Sequence, residues 1–321
     1  MRHSGPGVSP SVVETIGSTP MVALERLCEG RDRLVLAKLE YYSPGHSVKD
    51  RIARRMVERA EARGLLVPGG AIVETTSGNT GIGLAIVAAV RGYRFLAVMS
   101  EGNSVERQRI LRSLGAEVVL VPQAGDSRPG QVSGEDLQLV ERRAEEVALQ
   151  LGAFRPDQFE NPDNAAAHAE TTGVEIWEQT GGRLDAWVAS VGTAGTFAGV
   201  ARALKARCPS IRCVVAEPAT VRPLAGIPVT NSSHQIQGTG YNRIPPLFDA
   251  ADCDAAVGVT DREAIETARD LAAREGIVGG FSGGANVWAA LQVARELAPG
   301  SVVVTVIPDT GLKYLSTNLY P

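Results

Sequence analysis

Two stretches of the chain carry residue types that can do covalent chemistry. The first, Ser43-Pro44-Gly45-His46-Ser47-Val48-Lys49-Asp50-Arg51, sets one lysine at the mouth of a helix. The second, Glu74 to Gly83, gathers Thr76, Ser77, Asn79 and Thr80 around a helix start. A lysine amine becomes a covalent catalyst when it forms a Schiff base with an aldehyde, once burial lowers its ordinary pKa of about 10.4. Ser47 and Val48 are small or apolar enough to permit that burial. The same lysine would also serve as a solvated charge opening a helix. The hydroxyl- and amide-rich turn presents backbone N–H groups and side-chain donors to an anion such as a carboxylate. Simple capping needs one such residue, and this turn offers four.

A third stretch, Gly192-Thr193-Ala194-Gly195-Thr196, follows the strand-like run Ala186–Ser190 and opens another helix. That context suits a phosphate held by backbone amides and threonine hydroxyls. No G-K-[ST] follows, so it is not a Walker A loop, and its spacing does not fit the dinucleotide fingerprint. A fourth stretch, Gly280-Phe281-Ser282-Gly283-Gly284, matches the G-x-S-x-G elbow of α/β-hydrolases. That reading fails, because no histidine occurs beyond His234 to complete a triad. Cys28, Cys208, Cys213 and Cys253 and the four histidines are scattered without metal-ligand spacing, so no metal site is expected. The cysteines read as ordinary thiols of a reducing compartment.

These motifs need elements to hold them. The 321 residues suffice for two modest domains or one large α/β unit. Apolar residues make up 44% and charged ones 21%, the balance of a soluble globular chain. With a net charge of −4 and interspersed signs, nothing argues for nucleic acid. No apolar run reaches the roughly 20 residues of a membrane span. Met1 to Gly7 lacks a secretory h-region and reads as a short disordered arm, so a cytoplasmic location is expected.

Short β-rich runs alternate with longer helical patterns, which predicts βαβ units and parallel sheets. Strands are expected at 34–40, 71–75, 94–99, 117–121, 186–190, 211–217 and 301–306. Helices are expected at 48–63, 79–90, 105–114, about 135–150, 162 to roughly 179, from the turn 191–196 to 206, 261–275 and 284–296. Residues 123–134 form the clearest loop, and 218–250 is Pro- and Gly-rich and irregular.

Taken together, the motifs resemble the cysteine synthase and cystathionine β-synthase family of fold-type II pyridoxal-phosphate enzymes. The resemblance runs from about Glu14 to Leu319 and includes Ile16 to Val22, Gln158 to Pro162, Gln237 to Tyr241 and Pro308 to Gly311. It implies two open, twisted α/β domains of the tryptophan synthase β-like kind, with the cofactor in the cleft between them. Their expected bounds are 44–155 for the smaller and 1–43 plus 156–321 for the larger. The cofactor implied is pyridoxal 5′-phosphate, with Lys49 as its Schiff-base partner and as the base that removes the substrate α-proton. Thr76, Ser77, Asn79 and Thr80 would hold the substrate carboxylate, helped by Gln158, with Gly238 also at the substrate and Asn79 touching the cofactor. Gly192, Thr193, Ala194, Gly195 and Thr196 would cradle its phosphate, and Ser282 would hydrogen-bond the pyridine nitrogen. A neutral serine there, unlike an aspartate, cannot keep that nitrogen protonated, which favours β-elimination over transamination.

The activity so implied is β-replacement on an activated L-serine, with cysteine synthesis from O-acetylserine and sulfide as the first reading. Where the family usually has Asn, Gly and Phe, this chain has Ser43, Ala194 and Arg243. Arg243 at the substrate would pair with a phosphate or carboxylate, while the bland alternative leaves it in solvent. That residue and the long 123–134 loop keep open O-phosphoserine as donor and an amine as nucleophile. The resemblance also implies a homodimer and the C-terminal tail of serine acetyltransferase as a partner, and a regulatory rather than catalytic role stays open.

Overall fold

The computed structural model describes residues 7–28, 33–125, 134–229 and 233–321. Most of the arm expected at residues 1–7, and positions 126–133 of the expected loop, lie outside the described residues. The chain divides into two units, Met1–Ile16 with Lys49–Asp163, and Gly17–Val48 with Asn164–Pro321.

The smaller unit is built on three parallel strands in the order β3 (Ala71–Thr75), β4 (Arg94–Ser100) and β5 (Glu117–Val121). Phe154 extends this sheet by a single parallel bridge to Ile72. Adjacent strand residues point to opposite faces, so Ile72 joins one core and Val73 another. The Ile72 face is covered by α1 (Lys49–Ala62) and α2 (Asn79–Arg91), and the Val73 face by α4 (Gly134–Leu151). On α1 the buried residues Ile52, Met56 and Ala60 recur every four positions, as the sequence predicts for an amphipathic helix. Helix α3 (Val105–Ser113) connects β4 to β5. Helix α2 ends where Gly92 turns left-handed, at φ 76°, and its N–H returns to the Ala88 carbonyl.

Among the described residues, six strands form the sheet of the larger unit, in the order β1-β2-β9-β6-β7-β8. They are β1 (Met21–Ala23), β2 (Leu34–Leu39), β6 (Ala186–Ser190), β7 (Arg212–Pro218), β8 (Ala255–Val259) and β9 (Val302–Ile307). Only the β1–β2 pair is antiparallel. Along β6, Ala186 and Val188 enter the core shared with α9 (Phe281–Glu296), while Trp187 and Ala189 enter the core shared with α7 (Gly195–Lys205). Helix α8 (Asp261–Asp270) begins with a capping box in which Thr260 and Glu263 satisfy each other's backbone N–H groups.

Four features depart from the sequence reading, the first being that the helix expected at 261–275 is α8 as far as Asp270 and then a π-helical turn at Leu271–Glu275. The strands β1 and β8 are additional, and both are edge strands. The helix expected from 162 to 179 is α5 (Pro162–Ala167) and α6 (Gly173–Gln179), joined by a wider π-helical turn at His168–Thr172. The described residues just before Gly17 pack with the smaller unit, where the sequence reading put them with the larger: Val13 is buried against α1 and α2, and Arg54 of α1 bonds the Val13 carbonyl and pairs with Glu14. The main segment of the smaller unit runs from Lys49 to Asp163, where the sequence reading has 44–155.

Candidate active site

The residues singled out by sequence fall into two groups, one per unit. In the smaller unit, Lys49 is the first residue of α1 and is half-buried. Helix α2 approaches it closely at Gly83, where a Cβ would lie 3.2 Å from the Lys49 carbonyl oxygen and 3.0 Å from Ala53 Cβ. A glycine there lets the two helix starts come together, so the lysine and the Thr76–Gly81 turn lie side by side.

That turn is shaped from within. The Thr76 hydroxyl oxygen accepts from the Gly81 N–H at 2.9 Å and more weakly from Gly78 N–H at 3.5 Å. What Thr76 keeps for a ligand is its hydroxyl hydrogen. Thr80 donates to Gln158 Oε1 at 2.7 Å, which joins the second residue of α2 to the Gln158–Pro162 motif. Ser77 accepts from Arg107 Nη1 at 3.2 Å. Arg107, on α3, brings a cation to the turn that no sequence motif announces.

Behind the turn lies a buried carboxyl group. Glu74, on β3, accepts from the Asp157 N–H at 2.8 Å, and Asp157 holds a left-handed φ of 45° immediately before Gln158. Burial pushes the Glu74 pKa up to about 8, although the Arg155 guanidinium pulls the other way. Between the ordinary 4.5 and about 8, Glu74 is protonated in the fold and ionised in the unfolded chain, so folding takes up a proton. Stability is therefore greatest below that window and falls as pH rises through it, by about 1.4 kcal/mol per pH unit, then levels off above it. Glu74→Gln keeps an acceptor for Asp157 and carries no charge. Denaturant unfolding of both proteins from about pH 5 to about pH 9 is expected to show the wild-type slope vanish in the variant; parallel profiles would refute the assignment.

In the larger unit, the turn after β6 leads into α7. Ala194 occupies the position before the helix with a left-handed φ of 70°, and α7 has neither a capping side chain nor an acidic residue in its first turn. Helices α2 and α9, which start at the other motifs, share that property. A Cβ at Gly192 would lie 2.2 Å from the Gly238 carbonyl oxygen, and one at Gly195 would lie 1.8 Å from Asn164 Oδ1. The backbone of the turn is thus held close between the 238–240 segment and α5. Asn164 donates to Thr193 Oγ at 2.9 Å, and His168 Nε2 lies 3.2 Å from Thr196 Oγ. Sequence reasoning missed both; their spacing of four on one helix was the available signal.

Ser282 stands in the first turn of α9 and is buried. Asp309 packs against Gly280, two residues earlier: a Cβ at Gly280 would lie 2.3 Å from Asp309 Oδ1, and Tyr314 donates to Asp309 Oδ2 at 2.6 Å. Gly238 takes a left-handed φ of 80°, and Gly240 is met by His234, whose Nε2 lies 3.2 Å from its carbonyl oxygen. Arg243 is exposed and lines a narrow cleft with Gly192, Glu217 and Tyr241. Burial raises the Glu217 pKa, while its carboxylate accepts from the Leu224 and Ala225 N–H groups. A separate cavity of about 290 Å³ in the smaller unit, between Met56, Arg63, Phe154 and Asp163, touches the Gln158–Pro162 motif at Glu160 and Asn161 but is lined by none of the residues expected at the cofactor or the substrate.

The sequence family described as pyridoxal-phosphate dependent enzymes matches residues 12–309, and the chain belongs to it. It is a cysteine synthase-like enzyme whose cofactor is pyridoxal 5′-phosphate. A cysteine synthase of Staphylococcus aureus is 42% identical over 311 residues, 97% of this chain and 96% of that protein. The crystal structure of an O-ureido-L-serine synthase superposes with a TM-score of 0.88 at 43% identity, covering 97% of this chain and 95% of the other. O-acetylserine sulfhydrylase isoform 3 of Entamoeba histolytica gives 0.90 at 36% identity, covering 100% and 94%. The two solved structures align over nearly the whole chain, in keeping with the two-sheet fold-type II architecture expected from the sequence.

Proposed function

We propose that the enzyme makes L-cysteine and acetate from O-acetyl-L-serine and sulfide. The observation that carries this reading is the Thr76–Gly81 turn beside Lys49, joined through Thr80 to Gln158. The turn offers a carboxylate the N–H groups at the start of a helix whose N-cap is a glycine, together with the side-chain donors of Thr76, Ser77 and Asn79. The neighbouring lysine supplies an amine for covalent attachment of the cofactor aldehyde and for moving the α-proton.

The cofactor fits the residues present. The turn at Gly192, Thr193, Ala194, Gly195 and Thr196 has two glycines that crowding requires, a left-handed residue that converges its amides, and two threonine hydroxyls. These would hold the phosphate, and Ser282, neutral and buried, would take the pyridine nitrogen. Bound there, pyridoxal phosphate supplies the electron sink that makes the α-proton acidic and the β-leaving group labile. Lys49 moves the proton, the 76–80 turn and Gln158 orient the carboxylate, and the neutral Ser282 steers the reaction to β-replacement.

A second reading takes O-phosphoserine as donor, favoured by Arg243 lining the cleft beside Gly192. A different nucleophile is also supported, because a relative at 43% identity is an O-ureido-L-serine synthase. Purified enzyme supplied with sulfide and either O-acetylserine or O-phosphoserine tests the donor: cysteine from the first alone supports the main reading, and from the second alone overturns it. If O-phosphoserine is used, Arg243→Ala is expected to lower its kcat/KM by roughly ten- to a hundredfold and leave O-acetylserine unchanged. An unchanged preference would remove Arg243 from the site.

A further inference from the structure

Behind the Gly192–Thr196 turn, two side chains of one helix meet its two threonines. Asn164 and His168 are both fully buried. Residues four apart on a helix stack on one face, and here that face is pressed onto the start of α7. The approach is close enough that a Cβ at Gly199 would lie 2.2 Å from the Ala165 carbonyl oxygen and 2.8 Å from His168 Cβ. The helix widens into its π turn at His168, a feature found often at functional sites.

We propose that Asn164 and His168 fix the hydroxyl hydrogens of Thr193 and Thr196 so that both act as donors to the cofactor phosphate. This rests on the reading of the turn as the phosphate cradle. A hydroxyl has one hydrogen and two lone pairs. On Thr193 the oxygen accepts from Asn164 Nδ2 at 2.9 Å and from the Gly195 N–H at 3.4 Å. Its hydrogen is therefore left for a third partner. On Thr196 the outcome depends on the tautomer of His168. Nδ1 lies 2.9 Å from Thr172 Oγ and Nε2 lies 3.2 Å from Thr196 Oγ. If Thr172 donates to Nδ1, Nε2 carries the proton and donates to Thr196, whose own hydrogen is then free for an anion. The opposite tautomer would take that hydrogen and turn oxygen lone pairs toward a doubly charged phosphate, which repels them. The two residues are positioning residues, and Thr172 selects the tautomer.

The test is the dissociation constant of pyridoxal phosphate, obtained by titrating apoprotein and following the visible absorbance. Thr196→Val and His168→Leu are each expected to raise it by roughly ten- to a hundredfold. The double variant is expected to be no weaker than the weaker single, because both remove one donor. Multiplying effects would overturn the inference and leave the cradle intact. An unchanged constant in Thr196→Val would overturn the cradle itself. His168→Gln, which restores an N–H donor, is expected to bind close to wild type; binding as weak as in His168→Leu would count against the proposal. Should His168→Leu not fold, Asn164→Asp gives the other arm. Its carboxylate would take the Thr193 hydrogen and repel the phosphate, and unchanged affinity would sink the idea.

Discussion

Lys49→Ala is expected to abolish turnover while leaving the protein folded. The side chain opens α1 and is half-buried, and the apolar stripe of that helix lies further along at Ile52, Met56 and Ala60. Loss of the amine therefore costs chemistry, not packing. A positioned acid–base group alone contributes about 10²–10⁴ in rate, and loss of covalent attachment adds to that. Steady-state cysteine formation reads the first effect. Mass after borohydride reduction reads the second: wild type gains the reduced cofactor and the variant does not. A variant with near-normal turnover would remove Lys49 from the centre of the reaction.

Gly192→Ala is expected to have the next largest effect. The added Cβ would lie 2.2 Å from the Gly238 carbonyl oxygen, and that obstacle is backbone. A side chain could rotate away, but the 238–240 segment is tied to Val191 by the Gly240 N–H and to Ile236 by the Thr239 hydroxyl. Relief must come from moving the turn itself. Overpacking of this kind costs about 1–3 kcal/mol, and the displaced amides would weaken cofactor binding by at least roughly tenfold. Thermal unfolding of the apoprotein and titration with pyridoxal phosphate separate the two losses. Unchanged affinity would mean that the turn does not hold the phosphate.

Much of this was legible in the sequence because it is local. The runs Ala71–Thr75, Glu117–Val121 and Ala186–Ser190 are bounded by turn residues and apolar within, and each is a strand over those residues. The motif turns are equally local, since Gly, Thr, Ser and Asn beside a helix start announce themselves. What was not legible is set by distant partners. Met21–Ala23 is three residues long and exists as a strand through its pairing with β2. Ala255–Val259 is built of Ala, Gly and Val, weak strand formers except for Val, and is held by β7. The π turn at His168–Thr172 leaves no compositional trace. Asn164 and His168 are ordinary polar positions in the sequence and take their place from the packing of α7, and the burial of Glu74 comes from the surrounding fold.

At the three helix starts at Asn79, Gly195 and Phe281 the N-cap residue makes no side-chain bond of the kind α8 possesses, and only single amides of the first two are met by Thr76 and Thr193. A missing cap forgoes about 1 kcal/mol of helix stability, so the empty protein sits below the stability its fold could reach. Ligands that occupy those amides restore the difference and add their own binding free energy. Melting temperature thereby becomes a gauge of occupancy, in which compounds that bind without reacting still declare themselves by how far they raise it.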